Sequence, residues 1–232
     1  MRPFLALFFV ALGFAPSPSS AQISVIASKN NLSLAEAAGA YLLAKAFHLD
    51  ATFIISTGRT YGVPVYSMPP ALIIARDCHC PLTKVLVLRK QGLGWGVIAH
   101  RLGVPPQSFH NPHYKLERMP DAVIYESAWR PILISNRLSS VQINALRNRG
   151  LSWQELAAGT GFAREWNRTP KEVLTVYRTD RDWGVVGTKM GRGKGPKSEP
   201  PGKARKAGEG HSGGNGKGKG HDKGKGHGKG GG

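Results

Sequence analysis

The stretch QGLGWGVIAHRLGVP (91–105) decides the fold. It reads as a glycine turn, a tryptophan, then apolar residues at helical spacing up to Gly103. The pattern recurs as RGLSWQELAAGTGF (149–162) and DRDWGVVGTKMG (180–191). Aligned on Trp95, Trp153 and Trp183, the copies place Ile98, Leu156 and Val186 three residues on, and Gly103, Gly161 and Gly191 eight residues on. Self-similarity of this kind marks a repeat architecture. The tryptophans and their aliphatic partners are therefore expected to fill the space between paired helices, with stacking on a sugar or base as the minor alternative.

A second helical pattern precedes each copy: PLTKVLVLR (81–89), SSVQINALR (139–147) and PKEVLTVYR (170–178). An apolar residue stands four positions after the first (Val85, Ile143, Leu174), another at seven (Leu88, Leu146, Tyr177), and arginine at eight (Arg89, Arg147, Arg178). That spacing puts the apolar pair on one face and the cation near the helix C-terminus, where it suits the dipole. Ser139 with Gln142 and Thr169 with Glu172 read as capping boxes, and Pro81 and Pro170 suit a first helical turn. Each unit therefore reads as helix, tight turn, helix, over 81–103, 139–161 and 170–188. The third turn, TDRD (179–182), is one residue shorter and lacks glycine.

A weaker unit spans 50–78, with Arg59 and Gly62 thirty residues before Arg89 and Gly92. Its second helix lacks tryptophan and contains Pro69-Pro70, so it should kink or start late. Before it, SLAEAAGAYLLAKAFH (33–48) has Ser33 and Glu36 as a further capping box and predicts an apolar helix lying as a lid on the repeat core. The interval 103–138 breaks the period and reads as a proline-rich connection with one helix over 121–128. The expected fold is all-α: short helical-hairpin repeats packed with an N-terminal helix over 22–188, followed by a disordered tail over 189–232.

The chain of 232 residues opens MRPFLALFFVALGFAPSPSSA. Arg2, a twelve-residue apolar run and small residues Ser19 and Ala21 predict a signal peptide over 1–21, cleaved before Gln22. Twelve apolar residues fall short of the roughly 20 needed to span a bilayer. The expected location is periplasmic or secreted, with no transmembrane segment in the mature chain.

The net charge is +18. Residues 189–232 hold twelve Lys/Arg against Glu199, Glu209 and Asp222, and the core is basic as well. An acidic partner follows: an anionic polymer or envelope surface, alongside a protein partner for the helical body. The tail has no aliphatic residue larger than alanine after Met190 and cannot bury enough to offset its chain entropy. Its candidate contacts are Lys194, Lys197, Lys203, Arg205, Lys206, Lys217, Lys219, Lys223, Lys225 and Lys229, which would neutralise phosphates or sulfates without reading sequence.

The only cysteines, Cys78 and Cys80, flank His79 in RDCHCP. Three readings stand open: a disulfide, incidental thiols, or a weak Cu or Zn site using Cys78, His79 and Cys80 with a further histidine such as His110 or His113. No resident cofactor is expected. No nucleophile elbow, phosphate loop, zinc-protease helix or paired catalytic carboxylates occur, so a non-catalytic role is expected.

The helix–turn–helix look of 139–162 raises a third class, a DNA-binding regulator. Such a module needs a recognition helix directly after the second helix. After the first unit VPPQSFHNPHY (104–114) is barred from regular helix by its prolines, and after Gly161 FAREWNRTPKE (162–172) leaves only a turn or two before the next cap, so sequence-specific nucleic-acid binding is not expected.

With its leader, its paired helices carrying GLGWGVIAHRLGVPP (92–106) and its Gly/Lys/His-rich tail, the chain resembles a family of exported bacterial helical-repeat proteins with G-x-G-W-G-x-I-A-x-x-L-G units. The resemblance implies an extracytoplasmic helical protein. It implies no activity, substrate or catalytic residue. The leading expectation is an envelope or extracellular adaptor, and the alternative is a periplasmic metal or redox binder.

Overall fold

A computed structural model describes residues 22–109 and 115–190, and these are all helical: eleven α-helices and three single 3-10 turns, with no strand. The segment expected to be a signal peptide (1–21), His110, His113 and all ten candidate tail contacts lie outside the described residues.

The first helices show why the N-terminal segment is more than a lid. Helix α1 (Gln22–Asn30), not expected from the sequence, buries Ile23, Ala27 and Asn30. It is tied at both ends: the Ile23 N–H donates to Glu165 Oε1 at 2.7 Å, and Arg59 Nη2 donates to the Asn30 carbonyl. Helix α2 (Leu34–Phe47) starts at the Ser33–Glu36 capping box, and every residue from Ala37 to Ala44 is buried. A helix apolar on all sides belongs in the interior. Accordingly α2 runs through the centre of the molecule and packs most extensively against α9 (Trp153–Glu165), correcting the expected lid.

Helix α3 (Ala51–Tyr61) is capped by Asp50 and stops at Gly62. A 3-10 turn over Val65–Ser67 then delays α4 (Pro69–Asp77), which starts at the proline pair as the sequence requires. Helices α2 and α3 are the one bent pair apolar enough to reach a membrane-span criterion together, and no single described helix does.

The paired helices follow as α5 (Leu82–Lys90) with α6 (Trp95–Arg101), α8 (Ser140–Asn148) with α9, and α10 (Pro170–Asp180) with α11 (Trp183–Lys189). The turns at Gly92 (φ 85°) and Gly150 (φ 83°) are left-handed, the backbone state that glycine takes at least cost. The third turn places Arg181 at φ 54° in that role.

Two helices run further than the sequence suggested. Helix α7 (Asp121–Ser135) continues seven residues past 128 and through Pro131. An interior proline costs about 3 kcal/mol or more. Trp129 outweighs it: the ring is fully buried, its indole N–H donates to the Tyr66 carbonyl at 3.1 Å, and Ile132 and Leu133 are buried beside it.

Helix α9 does not stop at Gly161. A Cβ there would lie 2.3 Å from the Ala38 carbonyl oxygen, so this glycine is the contact point that lets α2 and α9 approach, and the helix runs on to Glu165. The 3.6-residue pattern was real; the punctuation was misread.

The core has two parts. The larger surrounds Trp129 and takes in α2 to α9. The smaller joins α1, the near end of α2, the far end of α9, α10 and α11. In it Trp183 stacks on Tyr177 at 3.8 Å and lies 5.0 Å from Phe162, itself stacked on Trp166 at 4.8 Å.

Candidate anion-binding cleft

Two helix C-termini lie side by side. Helix α7 ends at Asn136 with Arg137 left-handed (φ 73°), and α9 ends at Trp166 with Asn167 left-handed (φ 51°). Each turn is closed by a long backbone bond, Leu138 N–H to Leu133 O at 3.2 Å and Arg168 N–H to Ala163 O at 2.8 Å. These are Schellman-type ends, a role in which asparagine is tolerated and arginine is not favoured.

Between the turns is a cavity of about 280 Å3 lined by Asn136, Arg137, Arg164, Asn167 and Arg168, with Ala163 and Pro170 on its apolar side. No carboxylate lines it, and none of its three arginines is in an ion pair among the described residues.

One arginine is preorganised. Arg164 Nη1 donates to Asn136 Oδ1 at 2.7 Å, and the buried Asn136 is itself oriented by its Nδ2 donating to the Ile132 carbonyl at 2.7 Å. Glu165, next in sequence, accepts from the Ile23 N–H of α1. The Tyr41 phenol is held above its usual range by burial and by the Glu165 charge, while Arg164 pulls it down. Arg137, Arg164 and Arg168 are exposed.

Most other carboxylates serve the scaffold. Glu36, Asp50, Glu155, Glu172 and Asp182 accept from backbone amides at helix starts. Asp121 does so across 26 residues, taking the Trp95 N–H at 2.7 Å and Arg89 Nη1 at 2.6 Å.

The residues singled out in the sequence fall elsewhere. Trp95, Ile98, Trp153, Leu156 and Val186 are buried, and Trp183 is half-buried. Arg89 lies over Trp95 at 4.5 Å and donates to the Leu93 carbonyl at 3.0 Å; Arg147 lies over Trp153 at 5.1 Å and donates to the Leu151 carbonyl at 2.5 Å. The third repeat arginine, Arg178, makes neither contact.

Cys78 and Cys80 are joined as a disulfide, with Cα atoms 5.3 Å apart. Bridged sulfurs are not thiolate ligands, so the oxidised form has no metal site on this pair. His79 is exposed at the tip, left-handed at φ 53°. Beside it burial works to raise the Asp77 pKa, but hydrogen bonds from Arg76 and Ser108 and the charges of Arg76 and His79 outweigh that and hold it low. Among the described residues no three His, Cys, Asp or Glu side chains converge on a point that suits a metal.

The cleft was missed because its residues come from two turns that share no long-range signature. A short signal was present. SNRLS (135–139) and WNRT (166–169) each carry an Asn-Arg pair one or two residues before a helix cap. Comparison with known proteins finds no family model, no curated protein and no solved structure that matches the chain.

Proposed function

We propose that this protein is a non-catalytic exported binding protein, an envelope or extracellular adaptor whose basic body and tail hold an anionic polymer or surface. The observation that carries the reading is the cleft of Arg137, Arg164 and Arg168, three guanidiniums with no carboxylate among them. Unneutralised positive charge in a concave site attracts polyanions, and does so in a salt-dependent way.

Retention on an immobilised sulfated polysaccharide, measured against salt, tests this. The expected result is elution at a salt concentration that falls on deletion of 191–232 and falls again on neutralising the cleft. Retention equal to that of a near-neutral protein, or unmoved by salt, would sink the reading.

A second reading, a thiol–disulfide site, is favoured by the bridged and only half-buried Cys78–Cys80 pair. Its partner would be a protein dithiol that reduces the bridge and, in its own disulfide form, is attacked by the lone thiol of a single-cysteine variant, its other sulfur leaving as a thiol. Trapping of a mixed disulfide by a Cys78→Ser or Cys80→Ser variant would support it, and unreactive free thiols in both variants would remove it.

A further inference from the structure

We infer that the cleft between the α7–α8 and α9–α10 turns is a site for a single tetrahedral oxoanion, a phosphate or sulfate group, which Arg137 and Arg168 grip from opposite turns while Arg164 stands fixed between them. The inference rests on the reading above that the body binds an anion, and it names the group that is read.

The backbone leaves recognition to the side chains. The amides of Arg137, Leu138, Asn167 and Arg168 are all consumed in closing the two helix ends, so no backbone nest is free for an anion. What remains is the guanidinium set. Each guanidinium carries five N–H donors in a planar fork that matches an oxoanion in a bidentate way; Arg164 is engaged with Asn136 and with the Tyr41 hydroxyl, which fixes it, and Arg137 and Arg168 have no side-chain hydrogen bond among the described residues. Three positive charges suit a doubly charged phosphate or sulfate-bearing group better than a lone carboxylate.

The local geometry adds a second argument. Arg137 occupies a left-handed position that disfavours a residue with a Cβ, and glycine would relieve it. Strain of this kind, held at the rim of a cavity beside two more arginines, points to a function for the side chain. Size narrows the ligand further. A cavity of about 280 Å3 lies at the small end of ligand pockets, enough for a headgroup-sized moiety.

The same geometry supplies a clean test. Arg137→Gly removes a charge from a strained position, and Arg168→Gln removes one whose side chain makes no hydrogen bond among the described residues, so the double variant should fold at least as well as the parent. The control is Arg149→Gln with Arg178→Gln, which loses the same charge outside the cleft. The 15N-labelled protein, as the cell delivers it, is titrated with inorganic phosphate and then with a short linear polyphosphate, and amide shifts are followed residue by residue.

Expected are saturable shifts at Asn136, Arg137, Asn167 and Arg168, weakened at least tenfold in the double variant and unchanged in the control. If both probes saturate the cleft alike, the ligand group is a free ion or a small ester; if the polymer does so at far lower concentration, it is polymer-borne. Either outcome supports the site. Shifts absent from the cleft, or equal in the double variant and the control, would overturn it. In that event salt-dependent retention on the polysaccharide would still leave the broader polyanion reading standing, carried by the rest of the basic surface.

Discussion

Asp121 caps a helix to which it does not belong. Its Oδ1 accepts the Trp95 N–H at 2.7 Å, where the local N-cap residue, Gly94, has no side chain to offer, and its Oδ2 takes Arg89 at 2.6 Å. One carboxylate thereby fixes the start of α6, the end of α5 and the start of α7. Asp121→Ala should cost about 1–2 kcal/mol, the worth of a lost cap plus a half-exposed ion pair. Asp121→Asn should recover part of it. Urea midpoints of the two variants check the order.

The arginine that ends each repeat's first helix has two different fates. Arg89 and Arg147 reach around the turn to a carbonyl four residues on and lie over a tryptophan. Replacing either by alanine should cost about 1–2 kcal/mol. Arg178→Ala should stay within about 0.5 kcal/mol, because the half-buried side chain has no hydrogen bond, ion pair or ring contact among the described residues. Equal losses at all three would show that the shared sequence position, and not the clip, sets the energy.

Two glycines should respond to alanine with opposite signs. Gly187, in α11, would place a Cβ 3.7 Å from Trp166, an ordinary contact, so Gly187→Ala should stabilise by about 0.5–1 kcal/mol through helix propensity. Gly161→Ala drives a Cβ to 2.3 Å from the Ala38 carbonyl and should destabilise by about 2–3 kcal/mol. Thermal unfolding of the pair separates them.

Glu155 ties α9 to the third hairpin. Its Oε2 accepts from Ser152, and its Oε1 from the Tyr177 hydroxyl at 3.1 Å and Arg181 at 2.7 Å. Burial works to raise its pKa, but bonds from the Ser152 backbone and hydroxyl and from Tyr177, with the Arg181 charge, outweigh it and hold the group below the ordinary glutamate value of 4.5. A depressed carboxylate contributes stability above its unfolded pKa and loses it as pH falls through the folded one. Wild type should therefore exceed Glu155→Gln in stability near neutrality, and the gap should close below about pH 4.5. A gap constant to pH 3 would assign the loss to geometry instead of charge.

What the sequence disclosed was what short-range chemistry controls. The boxes at Ser33, Ser139 and Thr169, the glycine turns at 92 and 150 and the late start of α4 at Pro69 need only a few neighbouring residues. The same kind of signal was present and passed over in Ser152–Glu155, which caps α9. Misreadings came where distant packing decides. Gly161 looks like a stop until Ala38 is placed against it, and Pro131 looks like a break until Trp129 is buried. The arginine cleft was illegible for the same reason: Asn136 and Arg164, 28 residues apart, meet only because α7 and α9 end together.

The central position of α2 changes what kind of object the hairpins make. Units in a linear array contact only their neighbours, and each can melt or be removed with limited effect on the rest. Here residues 34–47 are pinned against 153–165, so the chain's beginning supplies the wall against which its later half closes. Such long-range closure raises contact order and slows assembly, because the intervening chain must be confined before the contact is gained. Among the hairpins it is α8–α9 that leans most heavily on α2, so loosening α2 should unseat that hairpin first and reach the others only through it and their neighbours.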